Sequence, residues 1–251
     1  MNSLVIILGI LLIFFIYLLF LYITSNSTTL VPMADFTQSI PTIAGDNLPG
    51  ATSVSYAYGV WLYVQNWDPN TEKTIMYRKG NFRLYLDRST PTLKCDITLS
   101  DGSTKTVQLA TGFQLQKWVC IILSMDNQYL DCYLDGKLVT SYQIVNQNTT
   151  GGSTTVVMPM QPPDSTASPL YLGNSGTVTS FKSGSNGSAG SGWSASALLI
   201  HKWQSAVDPQ TAWNWYMQGN GKSKYSLFSQ YGVNYTVLKD NVAVINNKPL
   251  F

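Results

Sequence analysis

Few side chains in this sequence can do acid–base, nucleophilic or metal chemistry. Glu72 is the single glutamate, and His201, beside Lys202, is the single histidine. A Ser-His-Asp relay would have to pass through His201, yet no G-x-S-x-G elbow accompanies it. An exposed or hydrogen-bonded strand histidine is the simpler reading. Asp87, Asp96, Asp131 and Asp135 stand in no pair motif. Asp135-Gly136-Lys137 reads as a hairpin turn and not as a phosphate loop, since no glycine-rich turn precedes a helix. The residues therefore predict a protein that is not an enzyme and holds neither cofactor nor metal.

Cys95, Cys120 and Cys132 form an odd set in a chain long enough to build a core without staples. Buried free thiols are expected, although Cys120 and Cys132 fall on neighbouring strands and could lie close. Only 11% of the 251 residues are charged and the net charge is +2. Nothing resembles a phosphate-tracking stripe, so no nucleic-acid partner is expected.

The elements that would position these residues are mostly strands. From Trp118 to Tyr142 the chain reads as a three-strand meander. Val119 to Leu123 is apolar on both faces, whereas Leu130, Cys132 and Leu134 alternate with Tyr129, Asp131, Tyr133 and Asp135. Asp126-Asn127 and Asp135-Gly136 supply the turns, the second suited to type I′. Further strands are predicted at Tyr56 to Val64, Thr74 to Tyr77, Phe82 to Asp87, Leu93 to Leu99 and Thr104 to Leu109. Lys73, Arg78, Lys79, Arg83, Arg88 and Lys94 cluster among them. They form either a basic patch for lipid headgroups or an acidic partner, or a solvated face balanced by Glu72, Asp87 and Asp96. Asp208 as N-cap, Pro209 and Gly219 delimit a short helix carrying Trp213, Trp215 and Tyr216. Three aromatics on so short an element cannot all face inward.

The order of the pieces resembles a known family. Leu130-Asp131-Cys132-Tyr133-Leu134-Asp135-Gly136-Lys137-Leu138-Val139 follows Trp118 and an apolar strand; Val60 to Val64, Ile75 to Gly80, Leu170 to Asn174 and Leu198 to Trp203 before Asp208-Pro209 fall where the laminin-G-like branch of the concanavalin A-like lectin/glucanase superfamily places its strands and closing helix. The resemblance covers roughly residues 52 to 220. It implies an all-β jelly-roll sandwich of two antiparallel sheets with one short C-terminal helix, whose rim loops and concave sheet bind sugars or proteins. The glucanases' E-x-D-x-x-E pattern is missing, so activity does not carry over. The Glu/Asp/His cluster of legume lectins is missing too, while calcium on loop aspartates and carbonyls, as in some laminin-G domains, stays open.

Outside the sandwich, Leu4 to Ile23 gives twenty uncharged residues, enough at 1.5 Å each for the ~30 Å bilayer core. Met1-Asn2-Ser3 lacks the basic start of a signal peptide, so an uncleaved anchor at 1–23 is expected, with Leu4, Ile7, Leu11, Phe14, Tyr17, Leu21, Tyr22 and Ile23 in the bilayer. The first basic residue is Lys73, so charge does not encode orientation. Residues 24–50, with Pro32, Pro41 and Pro49, read as an extended linker, 51–220 as the sandwich and 221–251 as a β annex or docking arm. Long loops are expected at 146–169 and 175–192. A sandwich behind one membrane helix is similar in architecture to membrane-associated minor capsid proteins of large icosahedral DNA viruses. That likeness implies a tether between an internal membrane and the capsid; the alternative is a membrane-anchored lectin on a cell or envelope surface. Trp67, Phe181, Trp193, Trp213 and Phe251 are the candidate contacts for glycans or for capsid or envelope proteins.

Overall fold

The computed structural model describes residues 8–17, 27–150, 153–163, 168–173, 192–220, 234–239 and 242–249. Helix α1 covers residues 8–17. The strands that follow are β1 (Ser27–Asp35), β2 (Ser55–Val64), β3 (Lys73–Arg78), β4 (Phe82–Leu86) and β5 (Leu93–Thr98). Next come β6 (Thr104–Ala110), β7 (Trp118–Asp126), β8 (Tyr129–Leu134), β9 (Lys137–Gln143), β10 (Asn146–Thr150) and β11 (Ser153–Val157). The chain continues through β12 (Leu170–Leu172), β13 (Ala195–Trp203), helix α2 (Pro209–Met217), β14 (Asn234–Lys239) and β15 (Val242–Pro249). A six-stranded antiparallel sheet in the order β1-β13-β2-β7-β8-β9 packs on a five-stranded one in the order β12-β3-β4-β5-β6. The two-sheet sandwich with one short C-terminal helix is the expected architecture.

The period-two pattern decides which core each side chain joins. On β7, Val119, Ile121, Leu123 and Met125 enter the core between the sheets, while Cys120 and Ile122 enter a second core on the opposite face. β2 divides likewise: Tyr56, Tyr58, Val60, Leu62 and Val64 point inward, Ala57 and Trp61 outward. The second core is closed by Trp203, Ala212 and Trp215, so α2 covers the outer face of the larger sheet. Gly59 makes that closure possible, since a Cβ there would lie 2.8 Å from Trp203 and 2.9 Å from Trp215.

A bulge sets the phase of β13. Ala195 and Ala197 point inward, then Leu199 adopts φ 49°, after which Ile200 points inward and Trp203 outward. Against β2 the extra residue is recorded as a register shift, three steps from Leu198 to His201 facing two from Trp61 to Gly59, while the pairing with β1 carries an irregularity of its own between Thr29 and Val31. Strict alternation from Ala197 would have put Trp203 inside.

The turn chemistry reads as expected, with positive φ at Asn127, Asp135 and Gly136. Three expectations need correction. The stretch taken as a linker contains β1, an edge strand in which the absent N–H of Pro32 is tolerated, followed by Phe36 and Leu48, both buried in the main core. The loop taken as 146–169 contains the β10–β11 hairpin, and Pro159 bridges to Leu99. Tyr133, set by the alternation opposite the apolar Leu130, Cys132 and Leu134, is buried as well, and its hydroxyl donates to the Val207 carbonyl at 3.2 Å. The 221–251 annex contains an antiparallel hairpin, β14–β15. The 175–192 loop lies outside the described residues apart from Gly192.

Among the described residues no helix is long and apolar enough to cross a membrane. The expected span at Leu4 to Ile23 is described only over 8–17, where every residue is apolar, glycine or tyrosine and every one is exposed. The three cysteines are free and buried. Cys120 and Cys132 sit in different cores on opposite faces of one sheet, which is why adjacent strands do not let them pair.

Gly59→Ala should destabilise the protein by about 1–3 kcal/mol, the usual cost of overpacking a filled core. Urea denaturation followed by tryptophan fluorescence will measure it, and an unchanged midpoint would contradict the tight approach of both indoles.

Candidate functional site

On the outer face of the five-stranded sheet, register places Tyr171, Tyr77, Arg83, Asp96 and Thr106 in one row, with Thr74, Tyr85, Lys94 and Gln108 beside it. These groups satisfy each other. Arg83 donates to Glu72 Oε2 at 2.6 Å and to Thr74 Oγ1 at 2.9 and 3.2 Å, its guanidinium 4.5 Å from the Tyr85 ring centre. Asp96 Oδ1 accepts from Tyr85 at 3.2 Å and Thr106 at 2.6 Å. The Lys94–Asp87 pair, at 2.5 Å, is the chief cause holding the Asp87 carboxyl well below the usual carboxylate range.

The remaining cations of the cluster divide. Lys73 is buried, and its ammonium donates to the carbonyls of Asp68 (2.5 Å), Thr71 and Arg88 (both 2.9 Å); burial moves its pKa down. Arg78 is buried against the carbonyls of Ser168 and Pro163. Lys79 and Arg88 alone are exposed, so the balanced reading of this face describes it and the basic-patch reading does not. Glu72, the one glutamate, is held by Arg83 as a structural ion pair.

The aromatic candidates separate. Trp193 is 3% exposed; its Nε1 donates to the Thr74 carbonyl at 2.9 Å and its ring lies 5.4 Å from Phe36, so it is core and offers no stacking face. Trp67 is half-buried, with the Lys73 ammonium 4.1 Å from its ring centre. Phe181 and Phe251 lie outside the described residues. Trp213 is the outward member of the helical trio. Asp208 caps α2 by accepting from Thr211 N at 2.9 Å and Thr211 Oγ1 at 2.8 Å, which lowers its own pKa, and Gly219 follows with φ 74°. Within that frame Trp215 is buried, Tyr216 stacks on Trp61 at 5.6 Å, and Trp213 and Met217, one turn apart, stay 40% and 64% exposed.

An apolar surface continues from α2 to β9. A Cβ at Gly136 would come within 2.9 Å of Trp213, so the Asp135-Gly136 turn sits beneath the helix. Leu138, two residues on, pairs with Tyr133 and therefore stands on the α2 side; Leu138 and Val139 are both exposed. β9 is the outermost strand of its sheet. The aromatic run announced Trp213, but Leu138 and Val139 were missed, because which strand ends a sheet is a tertiary fact.

His201 lies on the same outer face at the opposite edge. Its Nδ1 is 3.1 Å from Thr29 Oγ1, and its ring lies 4.5 Å from Trp203 and 6.0 Å from Trp215. Burial pulls its pKa down to about 4. Among the described residues no carboxylate hydrogen-bonds its ring, so they form no Ser-His-Asp relay.

Fold and surface together define a lectin-type β-sandwich. Residues 37–185 match the concanavalin A-like lectin/glucanases superfamily, and the chain belongs to it. Among solved structures it is similar to the arabinotriose-bound domain 4 of AbnA, an extracellular GH43 arabinanase from Geobacillus stearothermophilus, at 13% identity over 65% of this chain and 66% of that one, with TM-score 0.38. It is also similar to the receptor binding domains of botulinum neurotoxin type G (10% identity, 66% and 38% covered, TM-score 0.40) and of the neurotoxin C/D mosaic serotype (10%, 66% and 36%, 0.44). The chain thus spans less than two-thirds of the length of each of these structures. No curated protein matches it.

A depressed histidine pKa has a definite sign in stability. Between about 6.5 and about 4 the unfolded chain binds a proton at His201 that the folded chain refuses, so stability falls as pH drops through this window and levels below it. Denaturation midpoints measured across that range should decline, and His201→Gln should flatten the part due to this group. An identical pH profile in the variant would show that His201 titrates normally.

Proposed function

We propose that this chain is a non-enzymatic structural protein, anchored in a membrane by its N-terminal segment, that ties the bilayer to a protein shell in the manner of minor capsid proteins of large DNA viruses. The observation that carries the reading is the exposed apolar surface of Trp213, Met217, Leu138 and Val139 beside an outermost strand, a place suited to an apolar docking partner. Twenty uncharged residues from Leu4 to Ile23, of which the described 8–17 form a helix exposed on every side, support the anchor. Absence of catalysis rests on Glu72 being engaged by Arg83 and on the lack of a second glutamate. In this reading the protein lies in the internal membrane of a virion and faces the capsid.

Two measurements test it. The full-length chain should stay in the pellet on carbonate extraction, and in purified particles cross-linkers should join the sandwich to capsid proteins. Trp213→Ser should weaken that cross-link with little change in unfolding midpoint, since the side chain is already partly exposed. Release from the pellet would overturn the anchor and with it the tether, whereas free surface biotinylation without any capsid cross-link would overturn the tether and leave the lectin reading. Separately, β-glucan should not be hydrolysed; turnover abolished by Glu72→Gln would refute the non-enzymatic assignment.

A further inference from the structure

One end of the larger sheet carries the start of β1, and register shows what shares it. Ser27 pairs with Trp203, Trp203 with Ala57, Ser55 with Asp126 and Asp126 with Tyr129, so β1, β2 and β8 begin where β7 and β13 end. Only Thr24, Ser25 and Asn26 separate Ser27 from Ile23, where the apolar N-terminal run stops, and four residue steps reach at most about 14 Å. Beyond the strand ends Val54, Tyr129, Met158 and Met160 are 41%, 47%, 49% and 39% exposed. We propose that the sandwich is seated on the bilayer surface by this end, with Val54, Met158 and Met160 entering the interfacial layer and Tyr129 at its rim. This seating rests on the N-terminal anchor proposed above.

The apolar side chains stand on a fixed frame. Asn127 N donates to the Val54 carbonyl at 3.2 Å, and Gln161 Nε2 to the Thr52 carbonyl at 3.2 Å. The buried Lys202 ammonium holds the carbonyls of Pro49 and Gly50, while Ser53 Oγ donates to the Ser55 carbonyl at 2.6 Å. On the other side Ser100 N donates to the Met158 carbonyl at 2.9 Å and Met160 N to the Thr98 carbonyl at 2.8 Å. Val54, Met158 and Met160 are thus held outward and together, around a depression of about 110 Å³ that Met125, Pro159 and Pro162 also line. That volume is well below the ~300 Å³ at which small-molecule sites begin, so the feature is a surface to be covered and not a pocket to be filled.

Position makes lipid the occupant. β1 is two strands from β2, roughly 10 Å, so the chain enters the sandwich beside the patch and the short connection to Ile23 keeps both near one surface. The surface assigned above to a protein partner is elsewhere: Trp213 covers the Gly136 turn, at the far end of β8 from Tyr129, six residues or about 20 Å away. One end can meet lipid while the other meets a shell. Exposed charges on the adjoining turns are Asp101, Asp126 and Lys79, which sum to −1, so no basic cluster among the described residues of these turns selects anionic headgroups. The seating is apolar, and zwitterionic lipid suffices for it.

The test uses the full chain in phosphatidylcholine vesicles, with an environment-sensitive fluorophore on Val54→Cys or Met158→Cys. Leu115→Cys is the control, exposed at the opposite end, where Gln116 N donates to the Val64 carbonyl. The native thiols are buried, so the introduced cysteine takes the label. Nitroxide-bearing lipid should quench positions 54 and 158 roughly twofold or more over position 115, as expected of groups within the headgroup boundary. The effect should be equal with or without phosphatidylserine and at low or high salt. Adding Met158→Asp/Met160→Asp should abolish the excess quenching at position 54 while the protein still floats with the vesicles. Flotation without preferential quenching overturns the seating and leaves the anchor, whereas loss of flotation in the parent chain overturns both. The seating is also overturned by excess quenching that survives the double variant, by dependence on phosphatidylserine or low salt, or by a blue-shifted label that lipid nitroxide does not reach, which would mean that a second copy covers this end.

Discussion

The structure depends on a sheet whose central strands are apolar on both faces. β2 and β7 run side by side, Tyr56 against Met125 through Tyr63 against Trp118, and each supplies residues to two cores. A two-faced sheet in water must be covered twice. The smaller sheet covers one side. On the other, a nine-residue helix is too short to suffice, so Trp61, Trp203 and Trp215 fill the space and Gly59 gives up its side chain to admit them. The helix cap at Asp208, the turn at Gly136 and the bulge at Leu199 all serve to seat this second layer.

The smaller sheet solves a different problem. Its outer face carries Arg83, Asp96, Lys94 and Glu72, groups that seldom tolerate burial unless paired, and Arg83 and Asp96 are nevertheless buried. Their hydrogen bonds run across strands: Arg83 to Thr74 and Glu72, Asp96 to Tyr85 and Thr106. Charge here fixes register and is not offered to a partner.

Much of this was legible in sequence because it is local. Alternation located the strands, Asp135-Gly136 its turn, and Asp208-Pro209 with Gly219 the helix and its ends. What escaped was set by residues distant in the chain. Ser27 to Asp35 looked like a linker because its proline count was visible and its partner, β13, about 170 residues away, was not. Trp193 looked like a rim aromatic because it ends a glycine-rich stretch, whereas its indole is claimed by the Thr74 carbonyl. His201 and Trp203 were legible as residues but their facing was not, since a one-residue bulge inverts it and no pattern of apolar residues marks a positive φ at leucine.

The cysteines bear on where such a domain can live. Burial raises the pKa of all three thiols, with desolvation the largest cause in each, and Cys120 is divided from Cys132 by the thickness of a sheet. Thiolate, the reactive form, is suppressed, and no sulfur meets another. A compartment's glutathione or oxidase machinery therefore has no purchase on the folded sandwich. Its cysteine content carries no record of the redox state of the protein's surroundings, and the same fold would persist in an oxidising compartment or a reducing one.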